Sequence, residues 1–524
     1  MNEAAAPPRP WGEERPVETD AVVAAAAGEP QRTHPLSIVT GFIAALPQAL
    51  YAIPALLVGG GKALPFLIFI IPTIIAFSGF ARWLTWRHFT YRIGEEEIRI
   101  DQGVVSRQSR SVPFERIQDV GLEQKLLPRL LGLAAVKIET GGGKGEDAEL
   151  SYLKLADAEA LRDLIRDRKQ GVISETDTAA KAAVEDEAPP LFAMDTRRLI
   201  IAGLFNFSLV VIGLTFAFLT QIQDFLPFDL YDTEFWMGVA GRVHIEEIRT
   251  IGLAAQIMAA LGGVLILIAV GILSGIIRTV LRDYGFRLSR VPAGFRRQRG
   301  LLTLTDVVLP RHRVQAALIL SGPVRRRFGW RELKFQSLAQ DSKAGSDHSV
   351  APLAHAAELE PILTEAGLEN AADAARFHRA KLGPFLLNWS ILALLIGGGA
   401  TALLFIAPLA APVAYAIAGW FLLLAWLRWR YHRHALVGGQ LYVQTGWWRQ
   451  RLTLLPMVKT QSIDLVRSPA DRLFGTAGLV FGVAGGSASF PLHLRALPLA
   501  DAAALRETIM AAVTRVDFSE VNEA

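Results

Sequence analysis

The sequence predicts a membrane α + β protein in which three transmembrane helical hairpins alternate with three small β-rich domains. Three observations carry this. Of the 524 residues, 51% are apolar and only 20% charged, a more hydrophobic balance than soluble chains show. Six apolar runs without Asp, Glu, Lys, Arg or His approach the ~20 helical residues that cross a bilayer. They are Leu36–Val58, Leu64–Ala81, Leu199–Thr220, Ile251–Ile277, Phe385–Ile406 and Ala407–Leu427, and they fall in three pairs. Between and after the pairs, three polar segments repeat one pattern at fixed spacing.

Along the chain, residues 1–34, with prolines at 7, 8, 10 and 16, are expected to be a disordered tail. The first apolar run begins too late and runs too long for a cleavable signal peptide. Hairpin 1 occupies 35–84 and the first β domain 85–170. A linker, 171–195, leads to hairpin 2 at 196–281, whose turn, 221–250, holds six acidic and two basic residues. The second β domain covers 282–370, a linker 371–384, hairpin 3 385–428, the third β domain 429–515 and a short tail 516–524. Each hairpin is followed by a basic flank, "ARWLTWRHFTYR", "IIRTVLRDYGFR" and "WLRWRYHRH", which marks that side as cytoplasmic. The turns "GGGKA" and "APLAAP" and the acidic 221–250 are expected outside, which leaves both termini and all three domains in the cytoplasm.

The repeat is a ruler. Gly103, Gly300 and Gly446 each stand ten residues before Pro113, Pro310 and Pro456. Gln118, Gln315 and Gln461 follow the proline by five, and Gly132, Gly329 and Gly475 follow it by nineteen. An arginine (Arg129, Arg326, Arg472) precedes the second glycine by three. The first glycine is expected to close a turn at φ > 0, the proline to end a strand because it lacks a ladder donor, and the second glycine to open another strand. The glutamines are expected to bond backbone at a bend. Apolar residues at three and four in "ADAEALRDLIRD" and "LADAAALRETIMAAV" predict a helix closing each segment.

On that turn glycine, the P-x4-Q and the R-x-[LF]-G, the three segments resemble bacterial pleckstrin-homology-like domains of the second type. Arg327 takes the middle place of the last motif in repeat two. The alternation of hairpin and domain resembles the YdbT-like membrane proteins, from Pro35 to about Val513. The resemblance implies PH-like β domains, each of curled antiparallel sheets with a C-terminal helix, in a bacterial cytoplasmic membrane, and it carries no catalytic residues over.

Charge separates the repeats. Over matching windows, repeat one has nine basic and seven acidic residues, repeat two thirteen and three, and repeat three eight and two. In repeat two, Arg296, Arg297, Arg299, Arg313, Arg325, Arg326, Arg327 and Arg331 are the candidates for anionic lipid headgroups, since a basic residue beside an anionic leaflet contributes about 1 kcal/mol. Arg325–Arg327 lie too far past the membrane run for topology alone to require them. In repeat three the candidates are Trp447, Trp448, Arg449 and Arg451, the tryptophans as interfacial anchors. Repeat one carries "GEEE" at its first turn, which repels phosphate and points to a protein partner instead.

Enzyme readings fail on the residues. "GGGKGE", Gly141–Glu146, lacks the first glycine and the following Ser or Thr of a phosphate loop. "HRH", His432–His434, has no third ligand nearby in sequence and is expected on a juxtamembrane surface. The absence of cysteine removes thiolate chemistry, and no cofactor, metal or nucleic acid is expected. The apolar runs contain no ionisable residue for coupled transport, only Gln48, Asn206, Gln256 and Asn388, and Gly397–Gly399 are expected to let helices approach closely. The resulting expectation is a non-enzymatic scaffold or sensor on the inner leaflet; the alternative is a membrane component of an export or transport complex.

Overall fold

The computed structural model describes residues 29–40, 43, 64–94, 96–104, 106–140, 148–170, 189–207, 213, 253–292, 294–341, 345–370, 375–406, 408, 410–483 and 492–515. Repeat one runs α1 (Leu64–Arg87), β1 (Thr90–Ile93), β2 (Glu97–Gln102), β3 (Gln108–Pro113), β4 (Ile117–Gln124), α2 (Leu126–Leu130), β5 (Leu133–Thr140), β6 (Ala148–Lys154) and α3 (Leu155–Gln170). Repeat two runs β7 (Phe192–Ala193), α4 (Thr196–Leu204), α5 (Leu253–Asp283), β8 (Arg287–Val291), β9 (Gly294–Arg299), β10 (Leu304–Pro310), β11 (Val314–Ser321), α6 (Pro323–Arg327), β12 (Arg331–Asp341), β13 (Gly345–Ala354) and α7 (Ala356–Glu365). Repeat three runs β14 (His378–Arg379), α8 (Leu382–Ile406), α9 (Ala411–Arg430), β15 (Arg433–Val437), β16 (Gln440–Thr445), β17 (Gln450–Pro456), β18 (Thr460–Val466), α10 (Pro469–Phe474), β19 (Thr476–Val483), β20 (Leu492–Pro498) and α11 (Leu499–Thr514).

Among the described residues, three helices are long and apolar enough to cross a membrane, over Leu265–Asp283, Leu382–Ala402 and Ala411–Arg430. The sequence predicted six. Leu64–Ala81 lies within α1, while Leu36–Val58 and Leu199–Thr220 fall largely outside the described residues. What is described of Leu199–Thr220 corrects the expectation of one unbroken helix. α4 stops at Leu204, because Asn206 turns its backbone N–H onto the Gly203 carbonyl at 3.0 Å and its side-chain amide onto Thr279 Oγ1 at 2.8 Å. Gly203 sits against Ile276 so closely that a Cβ would fall 2.5 Å from the Ile276 Cα.

A different small residue draws the third hairpin together. Ala393 and Ala400 of α8, and Ala411, Ala418 and Ala425 of α9, are buried at seven-residue intervals, a narrow seam that lets the helices pack closely. Thr401 Oγ1 and Tyr415 Oη meet across the seam at 2.8 Å. Gly397–Gly399, expected to serve that purpose, do not line this seam: among the described residues, a Cβ on any of them meets nothing within 4 Å.

The repeat ruler is a backbone device. Gly103, Gly300 and Gly446 have φ of 110°, 120° and 82°, and a Cβ on them would collide with the carbonyl three residues on. The second glycines, Gly132, Gly329 and Gly475, lie at 69°, 72° and 61°. Each proline ends a strand and leads into one 3-10 turn, Phe114–Arg116, Arg311–Arg313 or Met457–Lys459. Each glutamine is then the extra residue of a β-bulge, since the register skips it between Ile117 and Asp119, Val314 and Ala316, and Thr460 and Ser462. Gln315 donates to the Arg313 carbonyl at 3.2 Å, as a bend residue should.

By compactness the chain divides into two units, residues 1–188, 193–287 and 297–307, and residues 189–192, 288–296 and 308–524. In the first, β1–β2–β3 form one meander and β4–β5–β6 another, with Ile93, Ile98, Val136, Ile138 and Leu150 packed under Leu161 and Ile165 of α3. Within the expected tail, Gln31 bridges Tyr91 on β1. In the second, Leu441, Leu455, Leu479, Phe481 and Leu494 close under Ile509 of α11, and Ala316 of repeat two joins that core.

The repeats are not closed modules. β10 of repeat two adds antiparallel to β4 of repeat one, Leu304 facing Gln124, Thr305 facing Glu123 and Asp306 facing Leu122. β17 of repeat three adds in the same way to β11 of repeat two, from Ala317 facing Leu454 to Ser321 facing Gln450. Both junctions obey one register: the residue at a given distance past the glutamine faces the residue at the same distance before the next repeat's proline.

Candidate functional site

The last membrane helix of repeats two and three runs almost directly into the first long strand of its β domain: α5 ends at Asp283 before β8 at Arg287, and α9 ends at Arg430 before β15 at Arg433. In repeat three this places a cavity of about 460 Å³ at the end of α9. Phe385, near the start of α8, lines it together with Arg428 from the last turn of α9 and His432 just beyond. The turn opened by Gly446 contributes Trp447, Trp448 and Arg449, β17 contributes Arg451, and β20 contributes His493 and Arg495. Leu318 and Gln336, from repeat two, complete the wall because β11 and β17 share a sheet.

Four arginines and two histidines thus line one cavity, with no Asp or Glu among the described lining residues. His432 is buried, and its Nε2 accepts the Arg495 backbone N–H at 3.0 Å. Burial first, then the charges of Arg495 and His434, hold its pKa down to about 3. The His493 pKa is also lowered, chiefly by burial, and Arg495 Nε donates to its Nδ1 at 3.3 Å. The cavity's positive charge near neutral pH therefore comes from guanidinium groups, whose planar forks suit phosphate oxygens. Trp448 is 59% exposed and meets Trp447 edge-on at 5.5 Å. The expectation of a surface "HRH" is corrected for His432, which the turn after α9 carries inward.

The basic cluster of repeat two is spent differently. Arg299 pairs with Asp283 at 3.0 Å, and Arg282 approaches the same carboxylate at 2.6 Å. Asp283 is fully buried, which explains the arginine. Arg297 and Arg313 are buried, and Arg325 pairs with Glu332 at 3.4 Å. Arg296 and Arg331 are partly buried. Only Arg326 and Arg327 stand exposed, on α6 beside the exposed Val324 and Phe328. The same short helix carries exposed Leu130 in repeat one and Leu473 in repeat three, near Arg129 and Arg472. Arg129 Nη1 donates to the Leu301 carbonyl at 3.0 Å, so in repeat one that arginine holds a neighbouring loop.

A second cavity, of about 520 Å³, is lined by Arg290 and Arg311, but both pair with Glu365 and Glu360 lies beside them. Its charges are compensated. The glycine-rich Gly141–Glu146 lies outside the described residues, and among the described residues no cluster of three or more His, Cys, Asp or Glu is placed to hold a metal. Sequence reading did not assign Arg428, His432, His493 or Arg495 to a site, since they come from two segments far apart in the chain; the Trp447–Arg449 turn between them was the one local signal.

Comparison with known proteins agrees with this architecture. A family model described as "Bacterial PH domain" matches three regions, residues 41–169, 246–367 and 391–513. The UPF0699 transmembrane protein YdbT of Bacillus subtilis (strain 168) is 25% identical over 362 residues, which is 64% of this chain and 69% of the relative. No solved structure matches the chain. With three domain matches, apolar helices and a transmembrane relative, the chain belongs to the bacterial PH domain family, as a YdbT-like membrane protein with three type-2 domains.

Proposed function

We propose that the protein is a non-enzymatic scaffold or sensor of the bacterial inner membrane, which presents its three PH-like domains to the cytoplasmic leaflet and binds an anionic phospholipid headgroup in the arginine–tryptophan cavity of repeat three. The observation that carries this is the convergence of Arg428, Arg449, Arg451 and Arg495 at the end of a membrane helix, without a lining carboxylate. Guanidinium groups gathered side by side without a carboxylate repel one another, and a phosphate relieves that repulsion. Trp447 and Trp448 at the mouth suit the interfacial layer. Arginines in the last turns of α1, α5 and α9 support a cytoplasmic position for the domains.

Repeat two contributes a weaker leaflet contact through Arg326, Arg327 and Phe328, and repeat one, with its acidic turn, is the surface for a protein partner. Tethering several weak sites to one membrane raises their combined occupancy. The test is native mass spectrometry of the full chain released from membranes. Wild type should retain anionic phospholipid, and Arg449→Gln/Arg451→Gln/Arg495→Gln should lose affinity on the order of a hundredfold, at ~1 kcal/mol per charge. Equal retention by a folded variant would move the function to protein partners.

A further inference from the structure

Two strands stand at the ends of the series of strand-sharing junctions. Among the described residues, β10 is covered by β4 and β17 by β11, whereas β3, the corresponding strand of repeat one, ends its three-stranded sheet. At the other end β18, which corresponds to β4 and β11, is the edge of the sheet β18–β19–β20 among the described residues. We propose that β3 of one molecule pairs with β18 of a second molecule, so that the protein assembles head to tail through the junction it already uses twice within its own chain.

The shared register predicts the new one without adjustment. Counting equally past Gln461 and before Pro113 sets Gln108 opposite Val466, Ser109 opposite Leu465, Arg110 opposite Asp464 and Ser111 opposite Ile463. Arg110 and Asp464 are then a directly opposed pair of unlike charges, an arrangement that stabilises antiparallel neighbours. Gln108, Ser109, Asp464 and Val466 are all exposed, so the pairing needs no core residue to be withdrawn. Strand edges are templates for exactly such addition unless they are blocked, and β18 carries neither proline nor lysine to block it. A junction that uses different surfaces of the two molecules repeats until it closes into a ring or continues as a filament. Confinement of both partners to one leaflet raises their effective concentration, so a modest interface suffices.

The chain has no cysteine, which makes disulfide mapping clean. Differently tagged full-length chains carrying Gln108→Cys or Val466→Cys are co-reconstituted in one bilayer and oxidised. Glu123→Cys/Thr305→Cys within one chain, at the equivalent place of an existing junction, reports that the oxidation works. The proposal expects a mixed disulfide dimer in at least about fivefold higher yield than for the off-register Gln108→Cys with Asp464→Cys, and a ladder of oligomers when one chain carries both Gln108→Cys and Val466→Cys. Arg110→Asp or Asp464→Arg alone should lower the yield about threefold, and combining Arg110→Asp with Asp464→Arg should restore it. Oxidation of the internal pair with no dimer at 108 and 466 would overturn the proposal. So would a doubly substituted chain that closes on itself as a faster-migrating monomer.

Discussion

His432 Nε2 accepts the backbone N–H of Arg495 at 3.0 Å, so the turn just past α9 is fastened to β20, the last of the described strands. This bond needs the neutral imidazole. With its pKa held at about 3, His432 stays neutral in the folded protein while the unfolded chain takes up a proton below the ordinary 6.5. Stability from this group is full above pH 6.5 and is lost progressively as the pH falls toward 3, by at most about 1.4 kcal/mol per pH unit. Thermal unfolding of the full chain in detergent should show that slope. His432→Gln, which cannot titrate, should reduce it; His434 and His493, whose pKa values are also lowered, keep it from vanishing.

Asp283 is buried between Arg282 and Arg299 where α5 leads into repeat two. Asp283→Ala strands two guanidinium groups beside a core and should cost about 3 kcal/mol of stability. Arg326→Gln and Arg327→Gln alter exposed residues of α6 and should each cost less than about 0.5 kcal/mol. Denaturant titrations of the three variants decide whether the arginines of repeat two divide into structural and surface groups as described.

That division shows where sequence reading stopped. The glycines, prolines and bulge glutamines were legible because each answers a local backbone demand: a positive φ, a missing donor, an extra residue in a ladder. Net charge was legible too, but its destination was not, since the partner of Arg299 is sixteen residues away and that of Arg325 seven. Strand sharing between repeats was invisible, because β3, β10 and β17 obey the same local pattern and differ only in what lies beside them. The cavity of repeat three depends on that sharing, and on His432 and Arg495 meeting across 63 residues of chain.

Gly203 marks the close approach of α4 to α5. Gly203→Ala should overpack that contact and destabilise the hairpin by about 1–3 kcal/mol. Gly398→Ala, in a helix where the new methyl meets nothing within 4 Å, should be neutral or slightly stabilising. Thermal unfolding in the same detergent separates the two outcomes.

Gly300→Ala forces a side chain into the Thr303 carbonyl at a φ of 120° and should cost at least about 2 kcal/mol. Because β10 follows that turn and adds to β4, the loss should extend to repeat one. Hydrogen exchange at Leu122–Gln124 should therefore accelerate in the variant together with exchange at Leu304–Asp306.

The central claim, a headgroup held between the Gly446 turn and β20, is tested most directly by hydrogen exchange of the full chain in nanodiscs of zwitterionic and of anionic lipid. Occupied as described, the cavity should slow exchange at 445–451 and 492–495 in anionic discs only, and Arg449→Gln/Arg451→Gln should abolish the difference. Equal exchange in both discs, or protection confined to 323–328 on α6, would contradict it.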